Sequence, residues 1–192
     1  MAETALLLDL DGTVWDSTPW YQDLANLSSD RVPSGLNAAR LLRAKGYTEA
    51  RLRRALRDGS PPALYAGVDE SLDQLAEAGI RIGAVTNLPR WVAGPMLRGT
   101  GLLEYLDTTV DFGATRRHKP NPQPLLVALE RLDCSPVDSW YVGDHADDAA
   151  AAAAAGMHFA WAAWGYGDVP PPTAERVLGA PSEIASLLLD PR

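Results

Sequence analysis

Cysteine is nearly absent: Cys134 is the only one in 192 residues. A single thiol excludes an internal disulfide framework and a thiolate zinc site, and it fits a reducing compartment. Histidine is almost as scarce, and His118, His145 and His158 are too scattered for a histidine metal cluster. Lysine is rarer still: of 17 basic residues 15 are arginine, which leaves only Lys45 and Lys119. Positive charge as a whole is in deficit, with a net charge of −8, and a binder of polyanions usually carries a basic face. No nucleic-acid partner is therefore expected. No apolar run approaches the roughly 18–20 residues of a membrane span. The run Ala5 to Leu8 is too short for a signal peptide, and no basic region precedes it. These absences predict a cytoplasmic protein without membrane association.

What is present is an ordinary globular composition, 46% hydrophobic and 22% charged. The length suits one domain with a modest insert, able to bury a core without disulfides or a structural metal. Ala5 to Leu8 reads as a strand buried on both faces, ending at the polar Asp9. The segment from Ser17 to Gly59 reads as helical. One predicted helix follows Ser34 and closes at Gly46; another spans Glu49 to Leu56 behind Thr48 and carries Arg51, Arg53, Arg54 and Arg57. Gly59-Ser60-Pro61-Pro62 breaks this segment.

From Val68 onward, strands and helices alternate. Helices are predicted over Glu70–Ala78, Arg90–Gly99, Pro122–Leu132, Ala146–Ala155 and Glu183–Leu189. Strands are predicted over Ile80–Val85, Thr108–Phe112, Trp140–Val142 and His158–Ala162. Such alternation implies an α/β fold, a doubly wound parallel sheet covered on both faces. Residues 1–14 and 63–192 form its core in this reading, and residues 15–62 form a small α-helical cap inserted after the first strand.

Open parallel sheets bind ligands beyond the carboxyl ends of their strands. Asp9 and Asp11 follow the first predicted strand, Thr86 and Asn87 the second, and Asp144, Asp147 and Asp148 the fourth. Lys119 lies in a loop just before a helix. Several carboxylates in one place raise each other's pKa unless a cation intervenes, and Mg²⁺ prefers oxygen ligands. Carboxylates, a metal, a hydroxyl and an ammonium suit phosphoryl transfer, in which positioning and charge neutralisation supply most of the catalysis. A carboxylate can itself be the nucleophile through an aspartyl-phosphate.

These residues resemble the four motifs of the haloacid dehalogenase-like superfamily, in order along the chain. Leu6-Leu7-Leu8-Asp9-Leu10-Asp11-Gly12-Thr13 is similar to the first, Val85-Thr86-Asn87 to the second, Lys119-Pro120-Asn121-Pro122 to the third, and Gly143-Asp144 through Asp148 to the fourth. The closest branch is that of the phosphoglycolate-phosphatase-like hydrolases, which carry a helical cap between the first and second motifs. The resemblance implies a Mg²⁺-dependent phosphatase acting on a small phosphomonoester. Asp9 would be the nucleophile and Asp11 the general acid and base. Thr86, Asn87 and Lys119 would bind the phosphoryl group. Mg²⁺ would be held by Asp9, the Asp11 backbone carbonyl and Asp144, with Asp148 in support.

Two departures from the branch stand out. His145 occupies a position usually taken by a small hydroxylated residue, and the cap is short. Other readings of the site are a phosphosugar mutase or a dehalogenase of the same superfamily. A reading of another class is a phospho-acceptor receiver domain, but the acceptor on the first strand and the long insert speak against it. Asp147 reads as a favourable charge at a helix N-terminus, and Lys45 as one at a helix C-terminus. The arginines around Arg51 and Arg54 read as a solvated face that could reach substrate, and Arg116, Arg117 and His118 as a rim that is solvated or attracts phosphate. Trp15, Trp20 and Tyr21 are expected to pack between cap and core, and a monomer is expected.

Overall fold

The computed structural model of the protein describes residues 4–19 and 48–190. The helix predicted up to Gly46, Lys45 at its end, Trp20 and Tyr21 lie outside the described residues, as does the side chain of Arg51. Six strands carry the fold: β1 (Ala5–Leu8), β2 (Arg81–Val85), β3 (Thr108–Val110), β4 (Trp140–Gly143), β5 (His158–Ala162) and β6 (Arg176–Leu178). They form one sheet in the order β3-β2-β1-β4-β5-β6, with every neighbouring pair parallel. The described helices are α1 (Glu49–Asp58), α2 (Val68–Glu77), α3 (Arg90–Gly99), α4 (Gln123–Leu132), α5 (Ala146–Ala155) and the single turn α6 (Ser186–Leu189).

The period of two along the strands sorts side chains onto two faces. On one face Leu6, Leu8, Ile82, Ala84 and Val142 pack with Leu72 and Leu75 of α2 and Met96 and Leu97 of α3. On the other, Leu7, Val85, Tyr141 and Phe159 pack with Leu125 and Leu129 of α4 and the buried alanines of α5. β1 is buried along its whole length because both faces are covered. α5 is almost entirely alanine, and Ala149, Ala151, Ala152 and Ala155 all face inward. Small side chains there let the helix axis lie close to the sheet.

Three details differ from the sequence reading. A sixth strand, β6, extends the sheet; three residues beyond a proline-rich stretch carry too little alternation to announce a strand. β3 stops at Val110, where Asp111 and Phe112 enter a turn. The last predicted helix is a 3₁₀ turn, Pro181–Glu183, followed by α6.

The chain leaves the core after β1 and returns to it at nearly the same point. Trp15 and Leu64 form an isolated antiparallel bridge, the Asp16 N–H donates to the Ala63 carbonyl at 3.4 Å, and the Tyr65 N–H donates to the Val14 carbonyl at 3.0 Å. On the inserted segment, α1 packs against α3. Its arginines 53, 54 and 57 are exposed, and Arg53 pairs with Glu49 and lies over the Trp91 ring, 5.2 Å from its centroid. Among the described residues no helix is long and apolar enough to cross a membrane.

Candidate active site

The strand order reverses direction between β1 and β4, and that crevice is where a doubly wound sheet opens a binding site. Asp9 emerges from β1 and Asp144 from β4. The two strands are locked in register there, and the Asp9 N–H continues the ladder by donating to the Val142 carbonyl at 2.9 Å. Thr86 emerges from β2 on the other flank of β1, where its N–H donates to the Val110 carbonyl. Asp9, Asp11, Thr86, Lys119, Asp144 and Asp148 are all buried.

Lys119 is the hub. Its ammonium donates to Asp9 Oδ1 at 2.7 Å, Asp148 Oδ1 at 2.6 Å, the Tyr141 hydroxyl at 2.6 Å and the Val85 carbonyl at 3.1 Å. Burial works against its charge, but Asp148 and Asp9 outweigh that, and its pKa lies above the usual lysine value. Asn87 holds the Lys119 backbone from both sides: its Nδ2 donates to the Lys119 carbonyl at 3.0 Å, and its Oδ1 accepts from the Lys119 N–H at 3.2 Å.

Asp9, Asp144 and Asp148 each offer a carboxylate oxygen, all within 4.8 Å of one another. Three buried carboxylates face one buried ammonium, so the cluster carries excess negative charge. Burial raises the Asp9 pKa well above the ordinary carboxylate value, and Asp148 and Asp144 add to it against the pull of Lys119. Burial and then Asp148 push Asp144 up to about 6. An all-oxygen, over-charged, dehydrated cluster is the donor set a hard divalent cation fits. The geometry around Asp144 is correspondingly tight. A Cβ on Gly12 would run into the Asp144 carboxylate, and one on Gly165 would run into Asp144 Cβ. Gly12 also has a φ of +82°, which other L-residues rarely adopt.

Two of these acids are individually fixed. Asp144 Oδ2 accepts from the Tyr166 N–H at 2.7 Å, and the Thr13 hydroxyl lies 3.4 Å from Oδ1. Asp148 has both oxygens engaged, Oδ1 by Lys119 and Tyr141 and Oδ2 by the His145 N–H at 3.0 Å. Asp9 differs, since the hydrogen bond it accepts from Lys119 falls on Oδ1 alone.

The family model for haloacid dehalogenase-like hydrolases matches residues 48–162. Over 96% of the chain it is 34% identical to the plasmid phosphoglycolate phosphatase of Cupriavidus necator, and it covers 90% of that protein. The chain belongs to the haloacid dehalogenase-like hydrolase family. It is an enzyme of that family, a hydrolase. Solved structures carry the same fold. A subfamily IA haloacid dehalogenase hydrolase from Geobacter sulfurreducens aligns with a TM-score of 0.72 at 24% identity, covering 97% of this chain and 96% of that one. CbbY from Rhodobacter sphaeroides, captured with xylulose-1,5-bisphosphate, aligns with a TM-score of 0.74 at 21% identity, covering 95% of this chain and 96% of that one.

Within this haloacid dehalogenase-like core, the remaining candidates fall into place around the hub. Asp11 lies two residues beyond Asp9, and its Oδ1 accepts from the Trp15 indole at 2.7 Å. Trp15 is fully buried, and its ring thus sets the orientation of the buried Asp11 carboxyl. The Thr86 hydroxyl oxygen accepts from the Leu88 N–H at 3.1 Å, which leaves its hydrogen to donate. Asn87 was expected on phosphate; the structure puts both ends of its amide on Lys119. His145 takes the place of the usual hydroxylated residue by capping α5, its Nδ1 accepting from the Asp147 N–H at 3.3 Å. Asp147 is exposed in the first turn of α5, in keeping with its reading as a helix-end charge. His118 stacks on Phe112 with ring centroids 3.6 Å apart, while Arg116 and Arg117 are exposed.

Two residues at the site escape sequence reasoning. Tyr141 hides in the apolar run of β4, yet its hydroxyl touches Lys119, Asp148 and the Val85 carbonyl. The available signal was its own polarity: a tyrosine inside a fully buried strand needs a hydrogen-bond partner. Tyr166 sits in the loop after β5, where no motif marks it.

Proposed function

We propose that the protein is a Mg²⁺-dependent phosphatase that hydrolyses a small phosphomonoester through a covalent phosphoryl intermediate on Asp9. The observation that carries this reading is the asymmetric hold on Asp9. Lys119 pins Oδ1, and carboxylate oxygens of Asp144 and Asp148 lie within 4.8 Å of the Asp9 carboxylate.

Asp9 Oδ2 attacks phosphorus as the ester P–O bond breaks. Asp11 donates its proton to the departing alkoxide. Asp11, now ionised, takes a proton from water as that water attacks the phosphorus of the acyl phosphate. Inorganic phosphate leaves and Asp9 is restored. One carboxyl must enter the cycle ionised and its neighbour protonated, and the Lys119 ammonium favours the ionised form of Asp9 against the burial that raises its pKa. Thr86 donates its hydroxyl hydrogen to a phosphoryl oxygen, and Lys119 offsets charge on Asp9 and on the phosphoryl group. Asn87 serves by holding Lys119.

Asp9, the Asp11 carbonyl and Asp144 would hold Mg²⁺, with Asp148 in support through Lys119 and α5. The ion would neutralise the carboxylates and the developing phosphoryl charge. We read residues 15–62 as a short cap domain and residues 1–14 and 63–192 as the core that carries the chemistry. The scarcity of cysteine fits a reducing compartment, and we read the protein as a monomer working in the cytoplasm on a small phosphoester.

The test is phosphate release from a panel of phosphoesters with Mg²⁺ and with chelator. The panel begins with 2-phosphoglycolate, after the name of the Cupriavidus relative. Release that requires Mg²⁺ and vanishes in Asp9→Asn supports the reading. Release from no ester, or release indifferent to Asp9→Asn, overturns it. Isomerised sugar phosphate in place of free phosphate would point to a mutase instead.

A further inference from the structure

The loop after β5 makes more contact with the site than its sequence suggests. Gly165 lies against Asp144 Cβ and the Gly12 carbonyl, and Gly167 against the Asp144 carbonyl. The Trp164 indole donates to the Thr13 carbonyl at 3.0 Å. Tyr166, between the two glycines, reaches in two directions. Its backbone N–H holds Asp144 Oδ2 at 2.7 Å. Its phenol lies on the pair of connectors through which the chain leaves and re-enters the core. The Ser17 N–H donates to the Tyr166 hydroxyl at 2.8 Å, the hydroxyl donates to Asp16 Oδ1 at 2.9 Å, and the Tyr65 phenol stands near it.

We propose that Tyr166 is a positioning residue that couples the connectors, residues 14–19 and 63–67, to the Asp144 carboxylate. It acts through one rigid residue whose two ends hold the two parts. Asp16 and Ser17 lie on the outgoing connector, which is hydrogen-bonded to the returning one through Asp16–Ala63 and Tyr65–Val14, so a displacement of the connectors pulls on the phenol. The phenol cannot follow without dragging the backbone N–H, because glycines on either side are packed against Asp144. Coupling of this kind is reciprocal: an ion that fixes Asp144 steadies the connectors, and ordering of the connectors steadies Asp144.

This inference rests on the reading of Asp144 as a metal ligand, and the experiment separates the two. Hydrogen–deuterium exchange is followed in the wild type, Tyr166→Phe and Asp16→Ala, with and without Mg²⁺, and Mg²⁺ binding is measured by calorimetry on the same samples. In the wild type, Mg²⁺ slows exchange at residues 142–148 and also at the connectors, residues 14–19 and 63–67. The connector effect is at least about fivefold, the low end of a site-to-site coupling. In Tyr166→Phe, which keeps the N–H on Asp144, the slowing at 142–148 persists and the slowing at the connectors is lost. Asp16→Ala breaks the same link from the other end and decides the matter if Tyr166→Phe fails to fold. Mg²⁺ binding with no connector response in the wild type, or an unchanged connector response in the folded variants, overturns the proposal alone. Absence of Mg²⁺ binding to the wild type overturns the metal reading and this proposal with it.

Discussion

The Lys119 ammonium lies 2.6 Å from Asp148 Oδ1 and 2.7 Å from Asp9 Oδ1, so one buried cation joins an acid on α5 to an acid at the end of β1. The two carboxylates stand in different situations. Asp148 is held at both oxygens, and Asp9 at only one by this ammonium. The pair is therefore less a stabilising salt bridge than a frame that keeps one carboxylate oriented for use.

Lys119→Ala removes the frame and leaves two buried carboxylates facing each other. Breaking a buried ion pair from one side costs about 3–5 kcal/mol. The expected result is a large fall in thermal stability together with loss of phosphate release. Lys119→Arg keeps the charge but asks a planar fork to fit a pocket shaped for a compact ammonium with four acceptors around it. Overpacking costs about 1–3 kcal/mol, and phosphate release should fall at least tenfold. Steady-state kinetics and thermal denaturation of both variants check this. Wild-type rates in the arginine variant would reduce the lysine at this position to coincidence.

Asp144 predicts how the metal-free protein responds to pH. Its carboxyl sits at about 6 in the folded state against 3.8 ordinarily, so between these values the folded state binds more protons than the unfolded one. Stability from this group is therefore full below about pH 4 and is lost as pH rises through about 6. The total loss is about 3 kcal/mol. Mg²⁺ binds the ionised form and reverses the loss. The rise in Tm on adding Mg²⁺ should accordingly be larger at pH 7.5 than at pH 5, and Asp144→Asn should abolish the difference. Melting curves with Mg²⁺ and with chelator at the two pH values measure it.

Tyr141→Phe tests the residue that no motif announced. Its hydroxyl bridges Lys119 and Asp148, and a hydrogen bond to a charged group contributes about 1.5–3 kcal/mol. The variant should fold with a lowered Tm. Its kcat should drop several-fold more than its KM changes, because Lys119 loses one of the contacts that aim it. Equal kinetic constants for variant and wild type would leave the hydroxyl a packing feature only.

How much was legible can be judged from these residues. Asp9, Asp11, Thr86, Asp144 and Asp148 could be read because a parallel sheet delivers strand ends to one edge, and polar residues placed just after apolar runs advertise that edge. The core helices could be read from their apolar spacing. Tyr141 was hidden because its neighbours are apolar and its face was unknown. Tyr166 was hidden because its partners, Asp16, Ser17, Tyr65 and Asp144, are remote in sequence and only folding brings them together. The hold of the Asn87 amide on the Lys119 backbone was hidden as well, since such a hydrogen bond leaves no trace in spacing. β6 was too short to show a period at all.

His145→Ala and His145→Ser form a matched pair. An imidazole caps α5 where the branch usually places a hydroxyl. Alanine should cost about 1 kcal/mol of stability, and serine should restore most of it. Because the Asp148 carboxylate is held by the His145 N–H and not by the ring, both variants should retain phosphate release. Thermal melts beside activity assays read both effects. Loss of activity in His145→Ser would show that the ring does more than cap the helix.

The bridge between Trp15 and Leu64 has an architectural consequence. The outgoing and incoming chains sit side by side, so the core closes upon itself whatever lies between them. A loop anchored at two adjacent points can lengthen or shorten with little penalty to the body that carries it, since closure entropy grows only slowly with length. The insert is thus the part of this chain most open to change, by evolution or by a designer. A segment grafted between Trp15 and Leu64 would inherit a finished phosphoryl-transfer core and contribute only the choice of what may enter.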